Sequence, residues 1–314
     1  MIEKKIKRFV VWGHKLHSHT HSYIHNAFII AFQYLGYPTI WLDNNDDISE
    51  IDFEGSLFLT EGAVDANIPV RADCYYILHN CSGTQFVDIP KDHIVVIQVY
   101  AKSIFDGRPI EYIEPCIYRG GHILYMPWAT DLLPYEINDS IRCLDTNTSK
   151  SVLHFVGYRT DVWNEVKKYC DTHHITYYEV GGFVRFDEKL GYISTNVDVN
   201  DNIKLIRESI VAPAVQNQWQ TENGYIPCRI FKNISYGRMG MTNNECVYDL
   251  FHKNILFHKD INQLMDMGIQ FEANSHEYKK EKIIPLMEFV RDHHTYVNRI
   301  KTIFNLFNTL ACEE

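Results

Sequence analysis

Five of the chain's 16 histidines lie between His14 and His25. They directly follow the apolar, β-branched run Ile6–Trp12, which reads as a buried strand. Imidazole titrates close to neutral pH and can take a proton from a reacting hydroxyl. A polar loop between a strand's C-terminal end and a helix is where α/β enzymes hold reacting groups. The segment Gly13–Ser22 therefore offers His14, His17, His19 and His21 as candidate functional side chains, against the plain alternative of a hydrogen-bonded surface loop. A second strand end, Leu59-Thr60-Glu61-Gly62-Ala63-Val64-Asp65, offers Glu61 and Asp65, and a third offers His79 in Leu78-His79-Asn80-Cys81. Residue types alone leave open which of His19, His21, Glu61 and Asp65 is the base.

The richest stretch is Ser209–Asn243. An apolar run through Val215 is followed by the polar loop Gln216–Asn223, then Gly224, a helical Ile226–Tyr236, Gly237 and a short run Met239–Thr242. A helix N-terminus after a glycine turn presents free N–H groups and a positive dipole end to phosphate oxygens. Arg229 and Lys232 lie three apart, on one helical face. Arginine can grip a diphosphate with a bidentate fork and lysine as a point charge.

The surrounding pattern is that of an α/β chain. Tyr23–Leu35 has helical spacing and ends at Gly36, and Pro38–Leu42 is a second strand. Ser56–Thr60, Cys74–Leu78, His93–Val99 and Ile123–Met126 continue one parallel sheet. The polar segment Pro134–Lys150 reads as a linker. A second cycle follows: strand Val152–Val156, a helix to about His173 capped by Thr160 or Asp161, strands Ile175–Val180 and Ser209–Val215, and a final long helix Pro285–Leu310. The 314 residues suit about two domains. Hydrophobic residues make up 46% and charged residues 22%, which excludes a disordered or collagen-like chain. The 40 acidic and 30 basic residues give a net charge of −10, which argues against non-specific nucleic-acid binding. The eight cysteines show no zinc-type spacing. No signal-type or membrane-length apolar run occurs, so the expectation is a cytoplasmic protein.

Two resemblances follow from these residues. Leu16-His17-Ser18-His19 resembles the His-x-His after the first strand of polymerase-and-histidinol-phosphatase type phosphoesterases and amidohydrolases. Lys15 stands where the phosphoesterases have aspartate, and Glu61, His79 and Asp131 make a weak further ligand set, so no metal is expected. The stronger resemblance, in element order, covers nearly the whole chain. Val156-Gly157-Tyr158-Arg159, Gly181-Gly182, Pro213–Gly237 and Met126–Asp131 are similar to the donor turns, donor helix and linker approach of GT-B nucleotide-sugar glycosyltransferases.

That resemblance implies two Rossmann-like doubly wound domains facing a cleft. Residues 1–140 would bind the acceptor, 150–284 the donor, and 285–314 would form a helix crossing back. It implies sugar transfer from a nucleotide diphosphate to a glycan hydroxyl, with GDP-, UDP- or dTDP-sugar as substrate rather than cofactor; the acidic charge adds the expectation of no nucleic-acid partner. The donor set would be Gly157, Arg159, Gly182, Gln218, Gly224, Arg229, Lys232 and Asn233. His19, His21 or Glu61 would supply the base, with His14, His17 and Asp65 on the acceptor. The Glu-x7-Glu pair of many retaining members is missing, since Gly224 and Lys232 occupy its positions. No Asp-x-Asp occurs, so the expected reaction is inverting and metal-independent. A metal-dependent hydrolase built on His17-x-His19, and a non-catalytic binding module, are the alternatives.

Overall fold

Runs of buried aliphatic and aromatic residues build the first sheet of the computed structural model. The structure describes residues 1–16, 20–61, 67–81, 84–100, 115–118, 121–146, 150–157, 160–180, 185–187, 191–193 and 199–312. The chain divides into two units. The first comprises Met1–Val99, Tyr112–Met126 and Tyr296–Glu314, and the second Tyr100–Glu111 and Pro127–Thr295. These divisions fall ahead of the 140–150 junction and after the 285 boundary read from the sequence.

The first unit contains β1 (Arg8–Trp12), β2 (Thr39–Leu42), β3 (Ser56–Glu61), β4 (Tyr75–His79), β5 (Ile94–Gln98), β6 (Pro115–Tyr118) and β7 (Gly121–Tyr125). Their order is β2-β1-β3-β4-β5-β7-β6. Every neighbouring pair is parallel except β6 with β7. Helix α1 (Thr20–Tyr34) lays Ala27, Phe28, Ala31 and Phe32 against the sheet, with Phe32 stacked on Phe9 at 3.8 Å. The last helix, α10 (Tyr296–Leu310), packs on α1 through Phe28–Tyr296 and Phe32–Phe304. Strands β3 and β4 are buried along their whole length; α1 and α10 cover one face, and Phe58, Tyr76 and Leu78 on the other pack with Phe53, Phe86 and Ile89. The strand order reverses at β1, between β2 and β3, and that reversal is a topological switch point.

The second unit holds α2 (Pro134–Arg142), β8 (Val152–Val156), α3 (Trp163–Thr172), β9 (Thr176–Val180), β10 (Arg185–Asp187), β11 (Gly191–Ile193), α4 (Val199–Glu208), α5 (Gln218–Glu222), α6 (Cys228–Ser235), β12 (Met241–Thr242), α7 (Glu245–Leu250), β13 (Leu256–Phe257), α8 (Ile261–Glu272) and α9 (His276–His293). Strands β8–β9 and β12–β13 form parallel pairs. The extended segment 210–214 lies between them, donating from Ile210 N to Val152 O at 2.7 Å and from Ala214 N to Met241 O at 2.9 Å. The order is again that of a doubly wound sheet.

Several expectations are corrected here. Pro134–Lys150 begins as a helix rather than a linker. Pro134 fits its first turn, the Glu136 carboxylate accepts the Leu133 N–H at 2.7 Å, and Ile137 is fully buried. Neither Thr160 nor Asp161 caps α3 with its side chain; the N-cap is Val162. Ser209–Val215 is extended but forms no regular strand, because Pro213 lacks the donor that a central ladder needs. The polar stretch Gln216–Asn223 contains α5, capped by Asn217 accepting from Gln220 N at 2.9 Å. The final helix is two helices. They separate at His294 and Thr295, where His294 O accepts from Thr130 N and the His294 ring stacks on Phe231 at 4.6 Å. Among the described residues no helix is long and apolar enough to cross a membrane.

Candidate active site

The first unit gathers ionisable groups at the C-terminal ends of β1, β3 and β4. Register does the gathering. Trp12 pairs with Thr60 and Glu61 with His79, so residues just past β1, at the end of β3 and at the end of β4 are neighbours. Gly13 (φ 82°) and His14 (φ 48°) turn the chain sharply after β1. The Gly13 carbonyl accepts from Trp41 Nε1 at 2.9 Å and lies 3.3 Å from His25 Nδ1, which pins this turn.

Glu61 is the hub. Its Oε2 lies 2.7 Å from His14 Nε2 and 3.8 Å from His21 Nδ1, and its Oε1 accepts from Asn80 Nδ2 at 3.1 Å. His21 sits in the first turn of α1, its ring centre 5.1 Å from that of His79. His25, one turn along α1, lies 5.9 Å from the His14 ring. Asn80 also has left-handed backbone (φ 54°), and non-glycine residues hold that conformation where surrounding structure insists on it.

The electrostatics divide the roles. Burial alone would raise the Glu61 carboxyl, but the hydrogen bonds from His14 and Asn80, with the nearby imidazoles, hold it down at about 2. Glu61 is thus a charged acceptor at neutral pH and a poor proton base. His25 and His79 are pushed down to about 3, chiefly by burial and then by the neighbouring His21, so both are neutral. An imidazole that meets a buried carboxylate on one side can take a substrate proton and be stabilised as imidazolium. His14 is in that position, and His21 stands next to it.

In the second unit Arg229 is the prominent cation. Its guanidinium lies 4.6 Å over the Phe155 ring and 5.2 Å from that of Trp163. Burial lowers its pKa, and among the described residues no carboxylate pairs with it. Gly157 (φ 123°) ends β8 beside it; a Cβ there would come 3.0 Å from the Arg229 guanidinium. Lys232 is different. It pairs with Asp131 at 2.8 Å, and Asp131 also accepts from the Tyr236 hydroxyl at 2.7 Å. Burial pulls the Lys232 ammonium down, but Asp131 outweighs this and raises it.

The remaining sequence candidates scatter. Gln218 is exposed and bonds Glu222 at 2.6 Å. Asn233 is buried and donates to the Ala212 carbonyl, which anchors the segment before α5. Gly224 is a buried turn residue (φ 67°). His17, His19, Asp65, Arg159 and Gly182 lie outside the described residues. Sequence reasoning missed an amide lattice at the strand ends of the second unit. Asn243 Oδ1 accepts from Gln216 N, and Asn244 Nδ2 donates to Gln216 Oε1. These residues line a cavity of about 820 Å³ together with Asp161, Gln218 and Lys259. The only local signal was the pair of amide residues at each strand end, Gln216-Asn217 and Asn243-Asn244.

The fold of the chain is GT-B, two Rossmann-like α/β units. It is similar to a solved α-glucosyltransferase in complex with UDP, at a TM-score of 0.59 and 8% identity, over 96% of this chain and 99% of that one. A complex of an α-glucosyltransferase with UDP and a 13-mer DNA containing an HMU base matches at 0.59, with 7% identity, over 96% of this chain and all of that one. A DNA-modifying β-glucosyltransferase matches at 0.52, with 11% identity, over 96% and 99%. No family model and no curated protein matches the sequence.

These neighbours overturn the exclusion of nucleic acid drawn from composition. Chains of this fold are seen with DNA, so a net charge of −10 does not decide the matter. Whole-chain charge sums surfaces that never meet a partner, while contacts to bases are made by local hydrogen bonds and stacking.

Proposed function

We propose that the protein is a glycosyltransferase that moves a sugar from a nucleoside diphosphate to an acceptor hydroxyl. The observation that carries this is the end-to-end GT-B likeness, spanning 96% of the chain, to enzymes solved with UDP or studied with UDP-glucose. In this reading His14 takes the acceptor proton, while Glu61 orients the ring and stabilises the imidazolium. The acceptor oxygen bonds to the anomeric carbon as the bond to the diphosphate breaks, with inversion. Arg229 meets the charge on the departing diphosphate, because a half-buried guanidinium that no carboxylate pairs with among the described residues suits an anion. His21 is the neighbouring acceptor-side group. Lys232, already paired with Asp131, supports α6 rather than the phosphate. No metal is required for the leaving group.

The test has two stages. Melting curves with UDP, GDP, dTDP and their sugars, with and without EDTA, read the donor site. A ligand at about 100 times its Kd adds roughly 2.7 kcal/mol. The expected result is a selective, EDTA-insensitive shift with one nucleotide. Transfer is then measured from that donor to two acceptor classes, glycans and DNA containing an HMU base. Binding without transfer to either class would favour the non-catalytic module; no nucleotide shift at all would remove the reading.

A further inference from the structure

The cluster around Glu61 has a property that sugar transfer does not require. One donor atom each from His14, His21 and Glu61 lies within 4.8 Å of the other two. The three come from different elements: the loop after β1, the first turn of α1 and the end of β3. Two imidazoles and one carboxylate are the donor set of open zinc sites, in which a water completes the coordination.

We infer that His14, His21 and Glu61 form a binding site for a divalent transition metal of the zinc class. With Zn–N and Zn–O bonds of about 2.0–2.2 Å, tetrahedral ligands stand about 3.4 Å apart. The His14–Glu61 separation of 2.7 Å must therefore open slightly, and the His21–Glu61 separation of 3.8 Å must close slightly. The His14 and His21 donors, within 4.8 Å of each other, must close toward the same spacing, and all three are rotamer-scale movements. The support around the ligands is already built. Asn80 Nδ2 holds Glu61 Oε1, leaving Oε2 turned toward both imidazoles, and such outer contacts tune metal affinity. Left-handed backbone at His14 and Asn80 makes the two turns from which these side chains reach the carboxylate.

The inference does not rest on the sugar-transfer reading. It adds a consequence to it: a metal here takes the His14 Nε2 that faces Glu61 and leaves the ring proton on Nδ1, the nitrogen that would accept from the substrate, so metal binding and base function exclude each other.

The test uses the full chain, stripped with chelator and titrated with Co²⁺, whose visible absorption reports four-coordinate binding. One equivalent is expected to bind and to be displaced by Zn²⁺. His21→Ala and Glu61→Gln, each checked for folding by its melting curve, should abolish the absorption. Asn80→Gly, which keeps the left-handed backbone, should weaken affinity about 10–100-fold. Absence of Co²⁺ binding to the folded protein overturns the inference. So does a signal that survives both His21→Ala and Glu61→Gln, or one that follows a His17→Ala/His19→Ala double variant instead.

Discussion

At the scale of single residues, a carboxylate decides what the histidines can do. Glu61 is hydrogen-bonded to His14 and Asn80 and is held charged, so in the proposed reaction the proton-accepting role falls to the imidazole beside it. His14→Ala is expected to lower kcat about 10²–10⁴-fold with little change in donor KM, since a general base contributes that much to the chemical step. Steady-state kinetics of the folded variant check this. The two cations on α6 should separate cleanly. Arg229→Ala should abolish the nucleotide-induced melting shift while the unliganded protein stays folded. Lys232→Ala should instead lower stability by up to about 3–5 kcal/mol, because it leaves the Asp131 carboxylate buried without its partner. Denaturant unfolding and the nucleotide shift, measured on both variants, read the difference. The sequence put His21, Glu61, Arg229 and Lys232 on the shortlist from residue type and position along the chain. It did not reveal that His14 would meet Glu61 or that Asp131 would neutralise Lys232, because each contact joins residues far apart in the chain.

At the scale of elements, helix α2 shows how a polar stretch can hide structure. Asp139 and Arg142 face outward, Asn138 accepts from Arg291 of α9, and Ile137 is fully buried in the core that also contains Ile230, Ile234 and Leu286. Ile137→Ala should destabilise the protein by about 2–5 kcal/mol, measured by denaturant unfolding, because neighbouring helices cannot collapse into the space left. A linker would tolerate the same change. Gly237 ends α6 with φ 95°, and a Cβ there would meet Leu144 at 2.5 Å. Gly237→Ala therefore combines left-handed strain with a clash and should lower the melting temperature, whereas an alanine at Gly36, with open space around it, carries the backbone term alone. The strands and most helices were legible because their apolar spacing is local. The break between α9 and α10 was not, since His294 and Thr295 stop the helix through Thr130 and Phe231, which lie far away in sequence.

At the scale of the whole molecule, the buried histidines predict a response to acid. His25 and His79 have their pKa values lowered from 6.5 to about 3, so the unfolded chain binds more protons than the native one between those values. Their contribution to stability is fully present above pH 6.5 and is lost as pH falls toward 3. Glu61, lowered from 4.5 to about 2, adds a further loss over that lower window. Denaturation midpoints measured in EDTA should fall from about pH 6.5 downward, and His25→Phe should flatten the upper part of that slope. The sequence by itself determined the alternating α/β order, the helix of Arg229 and Lys232, and the strand-end positions of His14 and Glu61. These follow from periodicity, glycine and local charge, which act over a few residues. Tertiary structure alone decided which of those groups meet. Parallel register brings the ends of β1, β3 and β4 together, and burial then sets which side chains are charged, because both the distance between strands and the exclusion of water belong to the packed chain rather than to any segment of it.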